Sequence, residues 1–84
     1  MKKEIVDRLF KVFRNVFEIN NDSLNMDTNQ KSFNKWDSLN HILLIVELES
    51  EFGIKFNSGE LAELNNMSSL YRKIKERLKA KSIS

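Results

Sequence analysis

Helical spacing dominates both ends of this chain. Ile5, Val6, Leu9, Phe10, Val12, Phe13, Val16 and Phe17 recur on one face, with Lys and Arg in the gaps. That pattern predicts an amphipathic first helix over about residues 3–18. Asn20, Asn21, Asp22 and Ser23 are placed to stop it, because their side chains compete with a helical backbone for hydrogen bonds. At the other end, Met67, Leu70, Tyr71, Ile74 and Leu78 share one face of a last helix over about residues 67–79. Between them, Asp37 is a suitable N-cap for a helix from Ser38 to about Glu51. Asn57 or Ser58 can start a short helix through Leu64, with Leu61 and Leu64 facing inward.

The expected architecture is all-α, with four helices, a long first loop and a short third helix, in one domain over residues 1–84. The loop from about residue 20 to 36 is long for a compact domain, and such loops are usually functional. Its apolar residues Leu24, Met26, Phe33 and Trp36 are expected to pin it over the core. Phe52 to Phe56 alternates like a strand, yet no second strand exists to pair with it. An extended loop that buries Ile54 and Phe56 is the expectation there.

Composition narrows the chemistry. There is no cysteine, so no disulfide and no thiolate metal site, and a single histidine builds no zinc site. Glu4, Asp7 and Arg8 interrupt the place where a signal peptide needs its apolar region. The longest uninterrupted apolar run, Ile42 to Val46, is far too short for a membrane span. A cytoplasmic monomer that engages no membrane is therefore expected. The net charge of +2 conceals an asymmetry. Residues 37–64 hold six acidic residues against Lys55 alone, while the rest of the chain holds thirteen basic against six acidic. Basic helices can mark a nucleic-acid footprint. Here the basic residues alternate with acids or apolar positions, which favours solvated helix faces.

The segment Ser38 to Phe52 carries two apolar arcs at about 100° per residue. Leu44, Ile45, Leu48 and Phe52 form one. Leu39, Ile42, Leu43 and Val46 form the other, with Glu47 and Glu51 on one flank and Glu49 on the opposite flank. Either the helix is buried nearly all round, or the second arc is an exposed docking stripe. The three glutamates favour partial exposure.

Three roles are open to Ser38: an ordinary first-turn residue, a nucleophile, or a point of covalent attachment. Asp37, Ser38 and His41 supply the residue types of a catalytic triad, but His41 follows three residues later on the same rigid helix. Asp37 is engaged by the helix amides, and there is no Gly-x-Ser-x-Gly elbow. Attachment fits better, since free N–H groups and the helix dipole favour a phosphate at a helix N-terminus.

The run Asp37 to Phe56, "DSLNHILLIVELESEFGIKF", resembles the acyl carrier protein family in its Asp-Ser-Leu motif and in the following Leu48-Glu49-x-x-Phe52-x-Ile54. The resemblance covers residues 33–74 by motif and the first helix by pattern. It implies a helical carrier, not an enzyme, in which Ser38 bears 4′-phosphopantetheine installed from coenzyme A by a phosphopantetheinyl transferase. Acyl or aminoacyl intermediates would ride on its thiol as thioesters and pass to loading and transferring enzymes. It also implies that the second helix docks partners, through Leu39, Ile42, Leu43 and Val46 and the acidic Asp37, Glu47 and Glu49.

Some residues depart from the family pattern. The chain is net basic, Asn40 stands where an acid is usual, Leu43 replaces a carboxylate, the glycine common shortly before the motif is missing, and Trp36 directly precedes Asp37. These departures suggest a discrete carrier of a specialised pathway, handling modified sugars, lipids or peptide-like metabolites. The competing reading is a small helical interaction module, with nucleic acid as a candidate ligand and Ser38 unmodified.

Overall fold

The computed structural model describes residues 3–19, 24–31 and 33–83. Among the described residues four helices follow one another: α1 (Lys3–Phe17), α2 (Ser38–Phe52), a 3-10 helix (Ser58–Glu63) and α3 (Met67–Ile83). Among the described residues there is no strand, only an isolated bridge between Asn29 and Asn66.

One buried cluster draws on α1, α2 and α3, and the 3-10 helix packs against it through the half-buried Leu61. Leu9, Phe13 and Phe17 of α1 meet Leu44, Leu48 and Phe52 of α2, and Met67, Leu70 and Ile74 of α3 close the third side. The loop that precedes α2 is held on this core as its apolar residues require. Trp36 is buried, while Leu24, Met26 and Phe33 pack against the cluster from the edge. Phe13 is the hub, with its ring centroid 4.5 Å from Phe17, 5.5 Å from Phe33 and 5.1 Å from Trp36 in an edge-on contact. Tilted and edge-on pairs suit the ring quadrupoles and add to simple burial.

α1 ends at Phe17, where Glu18 takes a left-handed conformation (φ 54) and Ile19 N–H reaches back to the Arg14 carbonyl at 3.1 Å. The expected stop signals at 20–23 lie outside the described residues. α1 and α2 pack antiparallel. Arg8 donates to the Glu51 carboxylate at 2.8 Å and to the Glu51 carbonyl at 2.7 Å, and its guanidinium covers the Phe52 ring at 4.5 Å.

α2 closes in a left-handed turn at Gly53 (φ 64), whose N–H returns to the Glu49 carbonyl. Glycine is the residue that takes this conformation without a Cβ penalty. The chain beyond stays extended, burying Ile54 and half-burying Phe56 as expected. The short third helix is of 3-10 type, marked by Glu60 N–H bonding the Asn57 carbonyl at 2.9 Å and Leu64 N–H bonding Leu61 at 3.2 Å. Six residues cannot sustain many i to i−4 bonds, so the tighter turn wins. α3 runs past the expected end at Lys79 because Ala80 and Lys81 are good helix formers. Its start is tied to the first loop by Met67 N–H to the Thr28 carbonyl (2.8 Å) and the Ser68 hydroxyl to the Met26 carbonyl (3.0 Å).

Glu60 fastens the 3-10 helix to α3. Its carboxylate accepts the Asn57 N–H at 2.9 Å, pairs with Arg77, and lies 3.5 Å from Lys73. The Asn57 hydrogen bond lowers its pKa below the ordinary 4.5, and Arg77 and Lys73 reinforce this against the opposing effect of burial. A carboxylate depressed in the folded state stabilises fully above its unfolded value. That stability disappears as the pH falls through the folded value. Glu60→Gln is therefore expected to cost about 1 kcal/mol at neutral pH. It should also flatten the loss of Tm on acidification below 4.5. Thermal melts across that range test this, and an unchanged acid limb would assign the effect to other carboxylates.

Candidate functional site

The start of α2 is built from hydrogen bonds on both sides of Ser38. Asp37 is the N-cap, in extended conformation (φ −93, ψ −176), and its Oδ1 accepts Asn40 N–H at 2.9 Å. Its carbonyl accepts His41 N–H at 2.8 Å, the first bond of the helical ladder. Ser38 is the first helical residue and is exposed. The N–H groups of Ser38 and Leu39 lie in the first turn, where no intrahelical acceptor is available, and the helix dipole favours an anion beside them. A phosphodiester on the Ser38 hydroxyl fits this position without burying charge.

The backbone that presents Ser38 is firmly held. Asn40 Nδ2 donates to the Lys35 carbonyl at 2.8 Å, and Trp36 N–H bonds the Phe33 carbonyl at 3.0 Å. Trp36 is 1% exposed, and its indole N–H donates to His41 Nδ1 at 2.8 Å. Since Nδ1 accepts, the proton sits on Nε2, which lies 2.8 Å from the Leu61 carbonyl and donates to it. Trp36 and His41 occupy the positions before the cap and at the fourth helical residue, where a hydrophobic staple fixes the entry of a chain into a helix. Here the staple has a polar link, and it extends to the 3-10 helix.

These bonds also settle the triad. Both nitrogens of His41 are occupied inside the protein and one Asp37 oxygen holds the helix amide, so neither is arranged to take the Ser38 proton. The arrangement leaves Ser38 exposed, with neither Asp37 nor His41 acting as its base.

The second arc of α2 faces outward. Leu39, Ile42, Leu43 and Val46 are 69%, 54%, 48% and 52% exposed, and they are the exposed large hydrophobics among the described residues. The opposite arc, Leu44, Ile45, Leu48 and Phe52, is buried. The acidic rim is thinner than its residue count suggests. Glu49 is half-buried and its Oε2 accepts Phe56 N–H at 2.8 Å, while Glu51 is paired with Arg8. Glu47 is exposed on the flank facing α1. Sequence reasoning did not find the Trp36–His41–Leu61 link or the hold of Glu49 on the 54–56 segment. The staple spacing of Trp36 and His41 was the signal available for the first.

A small helical fold with an exposed serine at a helix start and an apolar stripe running away from it is the arrangement of a carrier class. Comparison with known proteins agrees. The family model described as "Phosphopantetheine attachment site" matches residues 7–74. The acyl carrier protein homolog of Mycoplasma genitalium is 33% identical over 67 residues, 73% of this chain and 80% of that protein. The homolog of Mycoplasma pneumoniae is 39% identical over 56 residues, 64% of this chain and 67% of its own length. A solution NMR structure of holo acyl carrier protein from Geobacter metallireducens superposes with a TM-score of 0.83 at 38% identity, covering 92% of this chain and 88% of that one. The chain belongs to the acyl carrier protein family. It is a phosphopantetheine-bearing carrier rather than an enzyme. Among its described residues no helix is long and apolar enough to cross a membrane.

Proposed function

We propose that Ser38 is the residue that bears 4′-phosphopantetheine, with Asp37 fixing the turn that presents it. The observation that carries this reading is the exposure of Ser38 as first residue of α2, directly after a capped Asp37 and inside the matched span. Installation is a phosphoryl transfer from coenzyme A. The Ser38 Oγ–P bond forms, the pyrophosphate P–O bond breaks, and the 3′-phosphorylated adenylate leaves. The hydroxyl proton goes to a base of the transferase, since neither Asp37 nor His41 is arranged to take it. Once in place the group supplies the thiol that this cysteine-free chain lacks. The test is intact-mass measurement after incubation with coenzyme A and a broad-specificity phosphopantetheinyl transferase. A single added phosphopantetheinyl mass is expected, and its absence would overturn the assignment.

Acyl- or aminoacyl-loading and transferring enzymes are the further partners, met in the cytoplasm by a monomeric carrier of a specialised pathway. Their docking surface is the stripe of Leu39, Ile42, Leu43 and Val46 with Asp37, Glu47 and Glu49 around it. Leu43→Glu puts a charge on a half-exposed position. It is expected to leave the far-ultraviolet CD spectrum and Tm near those of the parent. The same substitution should slow acyl transfer by the cognate partner enzyme by about tenfold or more, the cost of desolvating a carboxylate at an apolar contact. Unfolding by this substitution would instead place the stripe in the core.

A further inference from the structure

A group carried on Ser38 has two places to go, the solvent or the apolar interior beneath α2. His41 stands where the two part. It follows Ser38 by just under one turn, about 4.5 Å along the axis. It is also the first residue of the buried face of α2, which continues through Leu44, Ile45, Leu48 and Phe52. A chain passing inward along α2 from Ser38 therefore meets His41 first.

The passage at His41 is closed on both sides. On one side Trp36 Nε1 donates to His41 Nδ1 at 2.8 Å, with the ring centroids 5.9 Å apart. On the other, His41 Nε2 donates to the Leu61 carbonyl at 2.8 Å and ties α2 to the 3-10 helix. That helix is also fastened from behind. Glu60 pairs with Arg77 and lies 3.5 Å from Lys73, both on α3, and Arg77 Nη1 donates to the Lys55 carbonyl at 2.7 Å. Parting α2 from the 3-10 helix would leave His41 Nε2 and the Leu61 carbonyl unpaired. Swinging His41 aside would strand the buried Trp36 N–H as well, and polar groups without partners are costly in an apolar interior. Behind the link stand Leu44, Leu48, Leu64 and Leu70, all fully buried. Protein interiors are close-packed, so an entering alkyl chain would have to displace these side chains besides breaking the link.

We propose that the Trp36–His41–Leu61 link bars the carried group from the interior, and that the cargo is a short polar acyl group held in solvent, an aminoacyl or hydroxyacyl unit. His41 is then a specificity-determining residue of the carrier. A short polar group loses little by staying in water, whereas a long alkyl chain without a refuge stays hydrated along its length. The proposal rests on Ser38 being the modified residue.

The test loads the full chain from acetyl- or octanoyl-coenzyme A with a phosphopantetheinyl transferase and follows cleavage of each thioester by hydroxylamine. Each rate is divided by that of the same acyl group on free pantetheine. In the parent the two normalised rates are expected to agree within about twofold, since neither group is sheltered. The methyl resonances of Leu44, Leu48, Leu64 and Leu70 should be the same in both acyl forms. His41→Ala removes the ring and opens the passage, so the octanoyl rate should fall about fivefold or more below the acetyl rate. Fivefold protection of the octanoyl group in the parent, or octanoyl-dependent shifts of those four methyls, would overturn the closure whatever the stability of the variant. Shifts confined to Leu39, Ile42, Leu43 and Val46 would also overturn the proposal, by giving a long chain an outer seat. Equal rates in a His41→Ala variant that melts cooperatively would remove His41 from the role. Failure of the parent to take up any phosphopantetheinyl mass would overturn the Ser38 assignment, a result distinct from all of these.

Discussion

Ser38→Ala is expected to take up no phosphopantetheine at all while folding as the parent does. The two halves of this result have separate causes. Ser38 is exposed, and the cap hydrogen bond comes from Asp37 Oδ1 rather than from the serine hydroxyl. Removing one exposed oxygen therefore costs little, and alanine is at least as good as serine in a helical turn. A change within about 0.5 kcal/mol is expected, a shift of a few degrees in Tm for a domain of this size. Modification is all-or-none, because among the described residues no other hydroxyl stands at the start of α2 to receive the phosphoryl group. Intact mass and a thermal melt on the same sample make the comparison. An added mass on the alanine variant would move the attachment point elsewhere. A large drop in Tm would show that the hydroxyl is structural, contrary to the exposed position found for it.

What could be read from the sequence, and what could not, divides along physical lines. The two arcs of α2 separate on spacing alone, so Leu39, Ile42, Leu43 and Val46 were legible as one stripe, while only the flanking glutamates favoured its exposure. Asp37 as cap was legible for the same reason, since capping acts over three residues. Roles that depend on groups distant in sequence were not. His41 acquires its meaning from the Leu61 carbonyl, which reaches it only because the 3-10 helix folds back beside α2. Glu49 reads as a surface acid on any helical wheel. Its grip on Phe56 N–H exists because the left-handed turn at Gly53 reverses the chain within seven residues. The 3-10 form of residues 58–63 likewise follows from a helix too short to profit from its own ladder, a matter of length rather than residue preference.

Trp36→Ala is expected to have the largest effect on stability of any single change at this site. Trp36 is 1% exposed, in edge-on contact with Phe13 and hydrogen-bonded to His41. Truncating a buried tryptophan costs about 3–5 kcal/mol through lost burial and the cavity left behind. The loss also leaves His41 Nδ1 without its donor inside the protein, a penalty of the order of 1–3 kcal/mol wherever the cavity does not admit water. Domains have only about 5–15 kcal/mol in total, and one of 84 residues sits toward the lower end. A fall of roughly 15–30 °C in Tm, or loss of the cooperative transition, is the expected result. Trp36→Phe separates the two contributions, because it keeps most of the ring and removes the N–H. That variant should lose about 1–3 kcal/mol and remain folded, with the nitrogen-15 resonances of His41 reporting an Nδ1 that has lost its hydrogen bond. Urea unfolding midpoints measure both changes. If Trp36→Phe proves as stable as the parent, the polar link contributes no net stability, and the entry into α2 is held by ring packing alone.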